Sequence, residues 1–254
     1  MSFTTVGILA LVLQAALACT IFLRRLSVRF RFFLIYTLYS IGSIAVSLWA
    51  RQNTQALFVS YALSEILYGA LGLLAMREAF QDALAAYNMR YPWTRWIPPL
   101  VVLALVGAAL FGCFYHPRIR GNVFNACLLG AMRSYNWVVR SVELFVFVLF
   151  ISLKPLYRWR RYNQGVILGF GVYSFISLLS YSLRTFFVVK VFATWYRYLS
   201  PGAYFGAAAF WLVAFLWPEN RLEQQPPDER QIQKVQTALE ESLDALEKPR
   251  HKRP

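Results

Sequence analysis

Acidic residues are scarce where the chain is most apolar. Residues 1–217 hold only four, Glu65, Glu78, Asp82 and Glu143, against 19 Lys/Arg, while the remaining 37 residues hold eight acids and seven bases. Charged residues make up 15% of the 254, where a soluble domain carries about 25%. This shortage excludes intrinsic disorder, which needs charge in place of apolar surface, and it argues against most soluble enzymes. Histidine is nearly absent, with His116 and His251 the only two, and there are three cysteines, Cys19, Cys113 and Cys127. No His/Cys/carboxylate group has metal-ligand spacing, so neither a metal nor a cofactor is expected. G-x-S-x-G, H-E-x-x-H and a glycine-rich phosphate loop are also missing, which disfavours Ser-His, metallohydrolase and nucleotide chemistry.

What the chain has is apolar length. Hydrophobic residues make up 58% and the mean hydropathy is +0.45. A helix needs about 20 apolar residues to cross a hydrocarbon core, and seven stretches fit: 4–23, 32–50, 56–76, 96–114, 134–153, 165–183 and 199–217. The expected fold is all-α, a polytopic membrane bundle of seven transmembrane helices over residues 1–217, followed by a short tail, 218–254. The apolar run of the first span continues past Cys19 to Arg24-Arg25, and no base precedes it, so it is read as a retained helix rather than a cleaved signal. The seventh span has no lysine, which excludes a retinal Schiff base there.

Arginine and lysine in short loops mark the cytoplasmic side. One set of loops carries 12 bases: Arg24, Arg25, Arg29, Arg31, Arg77, Arg90, Arg95, Lys154, Arg158, Arg160, Arg161 and Arg221. The opposite set carries seven: Arg51, Arg118, Arg120, Arg133, Arg184, Lys190 and Arg197. The N-terminus is therefore expected outside and the C-terminus inside, in a bacterial inner membrane. The net charge of +14 is read as topology and contact with anionic lipid, not as nucleic-acid binding. The loop 77–95 is expected to prolong the third helix, through Phe80, Leu84, Tyr87 and Tyr91. The aromatic stretch 185–198 reads as a surface belt, as an outward extension of the sixth helix, or as a lid over an outer pocket.

The tail opens on Gln225-Pro226-Pro227-Asp228, and a helix is expected over 228–247. Asp228 caps it, and Ile232, Val235, Leu239, Leu243 and Leu246 form a narrow apolar stripe. The stripe suits a cytoplasmic protein partner, a homodimer or docking on the loops, and Lys248, Arg250, Lys252 and Arg253 suit lipid headgroups or an unstructured, solvated end.

Charge inside the bilayer is costly and by default functional. Glu65 lies in the middle of the third span. Glu143 lies roughly 16 Å from Lys154 at ~1.5 Å per residue, and Arg140 shares its helix face. Arg140 can bridge the two carboxylates or pair with either one, and the trio nets −1, which leaves room for a proton or cation. Tyr61, Ser64 and Tyr68 stand at helical spacing from Glu65. A strut between the third and fifth helices and a ligand- or proton-coupling site are the two readings. Gly165-x-x-x-Gly169 and Gly202-x-x-x-Gly206 fit close helix packing within the bundle, or else a dimer or substrate-path surface, and Ser174, Ser177 and Ser180 continue a polar ridge on the sixth helix. Cys113, at the end of the fourth span, and Cys127, in the loop after it, either form a disulfide or stay as buried thiols. Cys19 reads as packing.

The layout from Arg24-Arg25 through Glu65 to Leu216-Trp217-Pro218-Glu219 resembles uncharacterised bacterial seven-helix membrane proteins. In topology it also resembles the seven-helix input modules of some bacterial sensor kinases. The resemblance implies a receptor-like or scaffolding, non-enzymatic protein. A small carrier of a proton-coupled or lipid-like solute is the second expectation, and an embedded enzyme the third.

Overall fold

The computed structural model describes residues 3–49, 54–85, 97–115, 123–154, 159–186, 190–219 and 237. These form seven helices and no strand: α1 (Phe3–Leu23), α2 (Arg31–Trp49), α3 (Thr54–Ala85), α4 (Ile97–Tyr115), α5 (Val123–Leu153), α6 (Arg161–Phe186) and α7 (Lys190–Leu216). Three of them contain stretches long and apolar enough to cross a membrane, Phe58–Ala83, Ala126–Leu153 and Arg161–Leu183. The apolar stretches of the other four are shorter, Ile8–Leu23, Arg31–Val46, Leu100–Phe114 and Pro201–Leu216.

Two helices run further than hydropathy alone suggests. α5 starts at Val123 rather than near 134, so Cys127 and Arg133 are on the helix and not in a loop. One charge among Val123–Arg133 lowers the hydropathy there without lowering helix propensity, because arginine is a good helix former. α7 starts at Lys190, so residues 190–198 form its first turns, and Thr185 and Phe186 end α6. The aromatic stretch is thus divided between two helices. Pro201 lies inside α7, where a missing backbone donor is tolerated if neighbours or local adjustment satisfy the freed carbonyl. α3 carries Phe80 and Leu84 on its prolongation, while Tyr87, Tyr91, the stripe and basic end of the tail and, Thr237 apart, the expected tail helix lie outside the described residues.

α1, α2, α3, α5, α6 and α7 close a ring in that order, with α3 also meeting α6 across it, and α4 packs chiefly on α5. The ring is filled by aromatics. Phe33 of α2 lies 5.3 Å from Trp211 and 5.4 Å from Phe215, both on α7, and 6.2 Å from Phe170 of α6, measured between ring centroids. Glycine lets these rings in. A Cβ on Gly169 would stand 2.0 Å from Trp211 Nε1, and one on Gly165 would stand 2.6 Å from Ala214. Gly202 and Gly206 differ: both are exposed, with no atom within 4 Å of where a Cβ would be. The α7 pair is therefore not an internal packing seam, because α7 turns its Ala207–Ala208–Trp211 side inward.

Beside this apolar core, polar side chains are buried while many large apolar ones face outward. Gln14, Thr37, Ser40, Asn136, Arg140, Glu143 and Ser174 are buried, while Phe114, Phe145, Phe175, Leu103 and Val12 are exposed. Large continuous apolar surface of this kind marks a lipid or protein contact. Cys113 and Cys127 are joined in a disulfide, tying the end of α4 to the start of α5. Cys19 is exposed rather than packed.

Candidate functional site

Two polar assemblies stand out, one at mid-depth and one at the end where α1, α3 and α7 finish. The mid-depth assembly is built on one face of α5. Asn136, Arg140 and Glu143 recur at helical spacing, which puts them on one side. Arg140 Nη1 donates to Glu143 Oε2 at 2.6 Å, and both side chains are buried. Ser174 Oγ of α6 donates to the same carboxylate oxygen. The other oxygen, Glu143 Oε1, has no hydrogen-bond partner among the described residues. It rests over Gly72 of α3, where a Cβ would come within 2.8 Å of it. The guanidinium also lies over the Tyr173 ring, 4.4 Å from its centroid. That contact spreads its charge onto a π-face in place of water.

Glu65 does not join this ion pair. Its Oε2 accepts from Asn136 Nδ2 at 3.2 Å, one turn along α5 from Arg140. Of the two pairings open to Arg140, the structure therefore takes the one with Glu143. An i,i+3 partner on its own helix needs no interhelical alignment. Tyr68 belongs to the interior, 5.6 Å from Tyr36 and 6.4 Å from Tyr204. Ser64 is half-buried and Tyr61 is exposed.

Tyr173 links the charges to a second group. It lies 5.7 Å from Tyr204, whose hydroxyl pairs with Ser40 at 2.7 Å and accepts from Gln14 Nε2 at 2.9 Å. One connected interior centre thus draws Gln14 from α1, Tyr36 and Ser40 from α2, Glu65 and Tyr68 from α3, the α5 trio, Tyr173 and Ser174 from α6, and Tyr204 from α7. Gln14, Ser40, Asn136, Tyr36, Tyr173 and Tyr204 were not singled out from sequence. Gln14 carried a signal, as the one amide in an otherwise apolar α1, and so did Asn136, one turn before Arg140. The tyrosines carried none, since aromatics are plentiful in every span.

The second assembly was also missed. Arg29, in the α1–α2 connection, holds Asp82 of α3 at 2.9 Å and Glu219 beyond α7 at 2.9 Å. Asn163 Nδ2 donates to Asp82 at 2.9 Å, and the Tyr162 amide donates to Glu219. Arg24 reaches Tyr162 and the Leu216 carbonyl. Burial alone would lower the Arg29 pKa, but hydrogen bonds with Glu219 and Asp82 outweigh it and raise it, so Arg29 stays a cation. Next to it, Glu78 of α3 accepts from the amides of Arg31, Phe32 and Phe33 at 2.9–3.3 Å. A carboxylate from a neighbouring helix thus supplies the N-terminal cap of α2.

Among the described residues, no three His, Cys, Asp or Glu gather as a metal site. Comparison with family models, with curated proteins and with solved structures finds no match to this chain.

Proposed function

We propose that the chain is a non-enzymatic, receptor-like membrane protein of a bacterial inner membrane, crossing it seven times with its N-terminus outside and its C-terminus in the cytoplasm. The observation that carries this reading is the interior centre. Six helices each give a polar or tyrosine side chain to one interior network, and its interhelical hydrogen bonds, Ser174 to Glu143, Asn136 to Glu65 and Gln14 to Tyr204, can be made only in particular helix arrangements. A scaffold held together by lipid-like packing needs no such network. The Cys113–Cys127 bridge supports the orientation, since disulfides persist on the oxidising side and this one sits at the end of the bundle opposite the Arg29 cluster. The basic excess of the α1–α2 and α5–α6 connections supports it from the other side.

In this reading the Arg29 cluster is the output. It clasps Glu219, the first acidic residue after α7, and so sets the direction in which the chain leaves the bundle toward a cytoplasmic partner or a second copy. The test is a distance measured by electron–electron resonance between spin labels at positions 77 and 218, with the protein in nanodiscs. Glu143→Gln is expected to shift or broaden that distance. An unchanged distance would make the interior pair a strut and remove the receptor reading.

Glu143 Oε1 and Gln14 Oε1, which have no hydrogen-bond partner among the described residues, favour a second reading, a carrier for a solute rich in hydrogen-bond donors. Accumulation of such a solute in vesicles, lost in Glu143→Gln, would support it over the first.

A further inference from the structure

We propose that the corner between α1 and α2 binds an anionic phospholipid, with the Arg25 guanidinium on the headgroup phosphate and Leu23 and Val28 against the acyl chains. The proposal shares with the receptor reading only that the chain lies in a bilayer. The corner is closed by the backbone. The Leu26 amide donates to the Ile21 carbonyl at 3.0 Å, and the Arg25 amide donates to the Phe22 carbonyl at 2.9 Å. These paired bonds end a helix on a residue in the left-handed conformation, most often glycine. Here that residue is Arg25, at φ 55°, and no other described residue has a positive φ. A Cβ in this conformation crowds the following carbonyl oxygen. The position thus holds an arginine at some cost in local stability.

The second observation is what surrounds that arginine. Arg25 is exposed, and its guanidinium makes no hydrogen bond or ion pair among the described residues. Its neighbours are committed: Arg24 to Tyr162 and the Leu216 carbonyl, and Arg29 to Asp82 and Glu219. The apolar side chains on either side are nearly bare, with Leu23 84% exposed, Val28 79% and Phe22 54%. An arginine's long stem lets its head reach the interface while its apolar neighbours stay in hydrocarbon. A phospholipid offers both contacts at once. Its acyl chains cover the leucine and valine, and its phosphate accepts two parallel hydrogen bonds from a guanidinium.

Charge selects the headgroup. The described residues at this end of the bundle include eight Lys/Arg and three acids, Glu78, Asp82 and Glu219. All three acids are engaged, Glu78 by the first amides of α2 and the other two by Arg29. The surplus of bases attracts a headgroup with net negative charge, whereas a zwitterionic one brings its own cation into the same field. Inorganic phosphate would meet the charge and leave Leu23 and Val28 uncovered, so the ligand assigned to the corner is a lipid.

Native mass spectrometry of the full chain in micelles, titrated with dioleoyl phosphatidylglycerol or dioleoyl phosphatidylcholine, provides the test. A phosphatidylglycerol with a diazirine on its acyl chain then locates the lipid by photo-crosslinking. The wild type is expected to retain phosphatidylglycerol several-fold more than Arg25→Gly does, with no such difference for phosphatidylcholine. Adducts on residues 22–28 should drop several-fold in Arg25→Gly, while adducts elsewhere stay. Lys154→Ala, which removes an exposed base from the same end, should change neither reading. Glycine suits the left-handed turn, so Arg25→Gly should melt no lower than the wild type in phosphatidylcholine nanodiscs. Equal retention by wild type and Arg25→Gly, an equal loss in Lys154→Ala, a lower melting temperature for Arg25→Gly in phosphatidylcholine, or displacement of the lipid by inorganic phosphate at constant ionic strength would overturn the proposal. The bilayer reading fails separately, if the chain leaves the nanodisc as a detergent-free monomer. The receptor reading fails if the lipid results are as expected while the distance between positions 77 and 218 ignores Glu143→Gln.

Discussion

The interior pair Arg140–Glu143 and the terminal cluster Arg29–Asp82–Glu219 use the same chemistry in two different settings. Side-chain exposure is 8% and 0% in the first pair, and 20% and 24% for Arg29 with Asp82 in the second. Inside, each charge depends on its partner and on the few groups packed around it, Ser174 for Glu143 and the Tyr173 ring for Arg140. At the end, water and salt reach Arg29 and Asp82 and can replace a lost partner there, although Glu219 is itself buried. The contrast teaches that an ion pair's contribution follows from what surrounds it rather than from its length, since 2.6 Å and 2.9 Å are both good hydrogen bonds.

The largest effect should come from breaking the interior pair on one side. Arg140→Ala leaves Glu143 buried and unpaired, and is expected to cost about 3–5 kcal/mol in chemical unfolding in micelles. Replacing both partners with leucine should recover much of that loss, because the desolvation penalty disappears along with the pair. If the double variant is as unstable as the single, the pair contributes more than charge compensation. Next in size is the glycine contrast. Gly169→Ala forces Trp211 aside and should cost about 1–3 kcal/mol. Gly206→Ala meets no atom and should be neutral or slightly stabilising, since alanine is the better helix former by about 1 kcal/mol. Equal losses at the two positions would mean that Gly206 is covered by another surface.

Arg29→Ala should cost less than Arg140→Ala, about 1–2 kcal/mol after allowance for its partial exposure. The cost should shrink as salt is added, whereas that of Arg140→Ala should not. A salt-insensitive Arg29→Ala would place the cluster in a drier setting than its exposure indicates. The smallest effect belongs to Tyr204→Phe. It removes one hydroxyl from the Gln14–Tyr204–Ser40 chain, and buried side-chain hydrogen bonds between membrane helices average about 0.6 kcal/mol. Unfolding curves measured side by side would rank all four.

Much of the helical layout was legible, because apolar length and proline, glycine and charge positions act locally. The ends of α1, α2 and α4 lie within one residue of the apolar stretches that suggested them. α5 and α7 were cut short because hydropathy measures preference for lipid, while helix formation continues past it into polar turns. The charged trio was legible for a different reason: an acid or arginine in an apolar span has no inconspicuous role. Which pairing Arg140 would choose was not legible, nor that Glu65 would turn to Asn136, nor that Gly202 and Gly206 would face outward. Each depends on the rotation of a helix about its own axis.

By itself the sequence determined an all-helical chain with apolar exteriors, basic connections and three charges stranded among hydrocarbon side chains. Those properties follow from composition and from the 3.6-residue period within each helix. The tertiary structure decided that α4 stands outside the ring, that tyrosines from α2, α3, α6 and α7 converge, and that one carboxylate takes the arginine while the other takes an amide. In helices that are apolar nearly all round, hydropathy provides no preferred inward face. The mutual satisfaction of a few buried polar groups, and the few glycines that admit a ring, set the rotation instead.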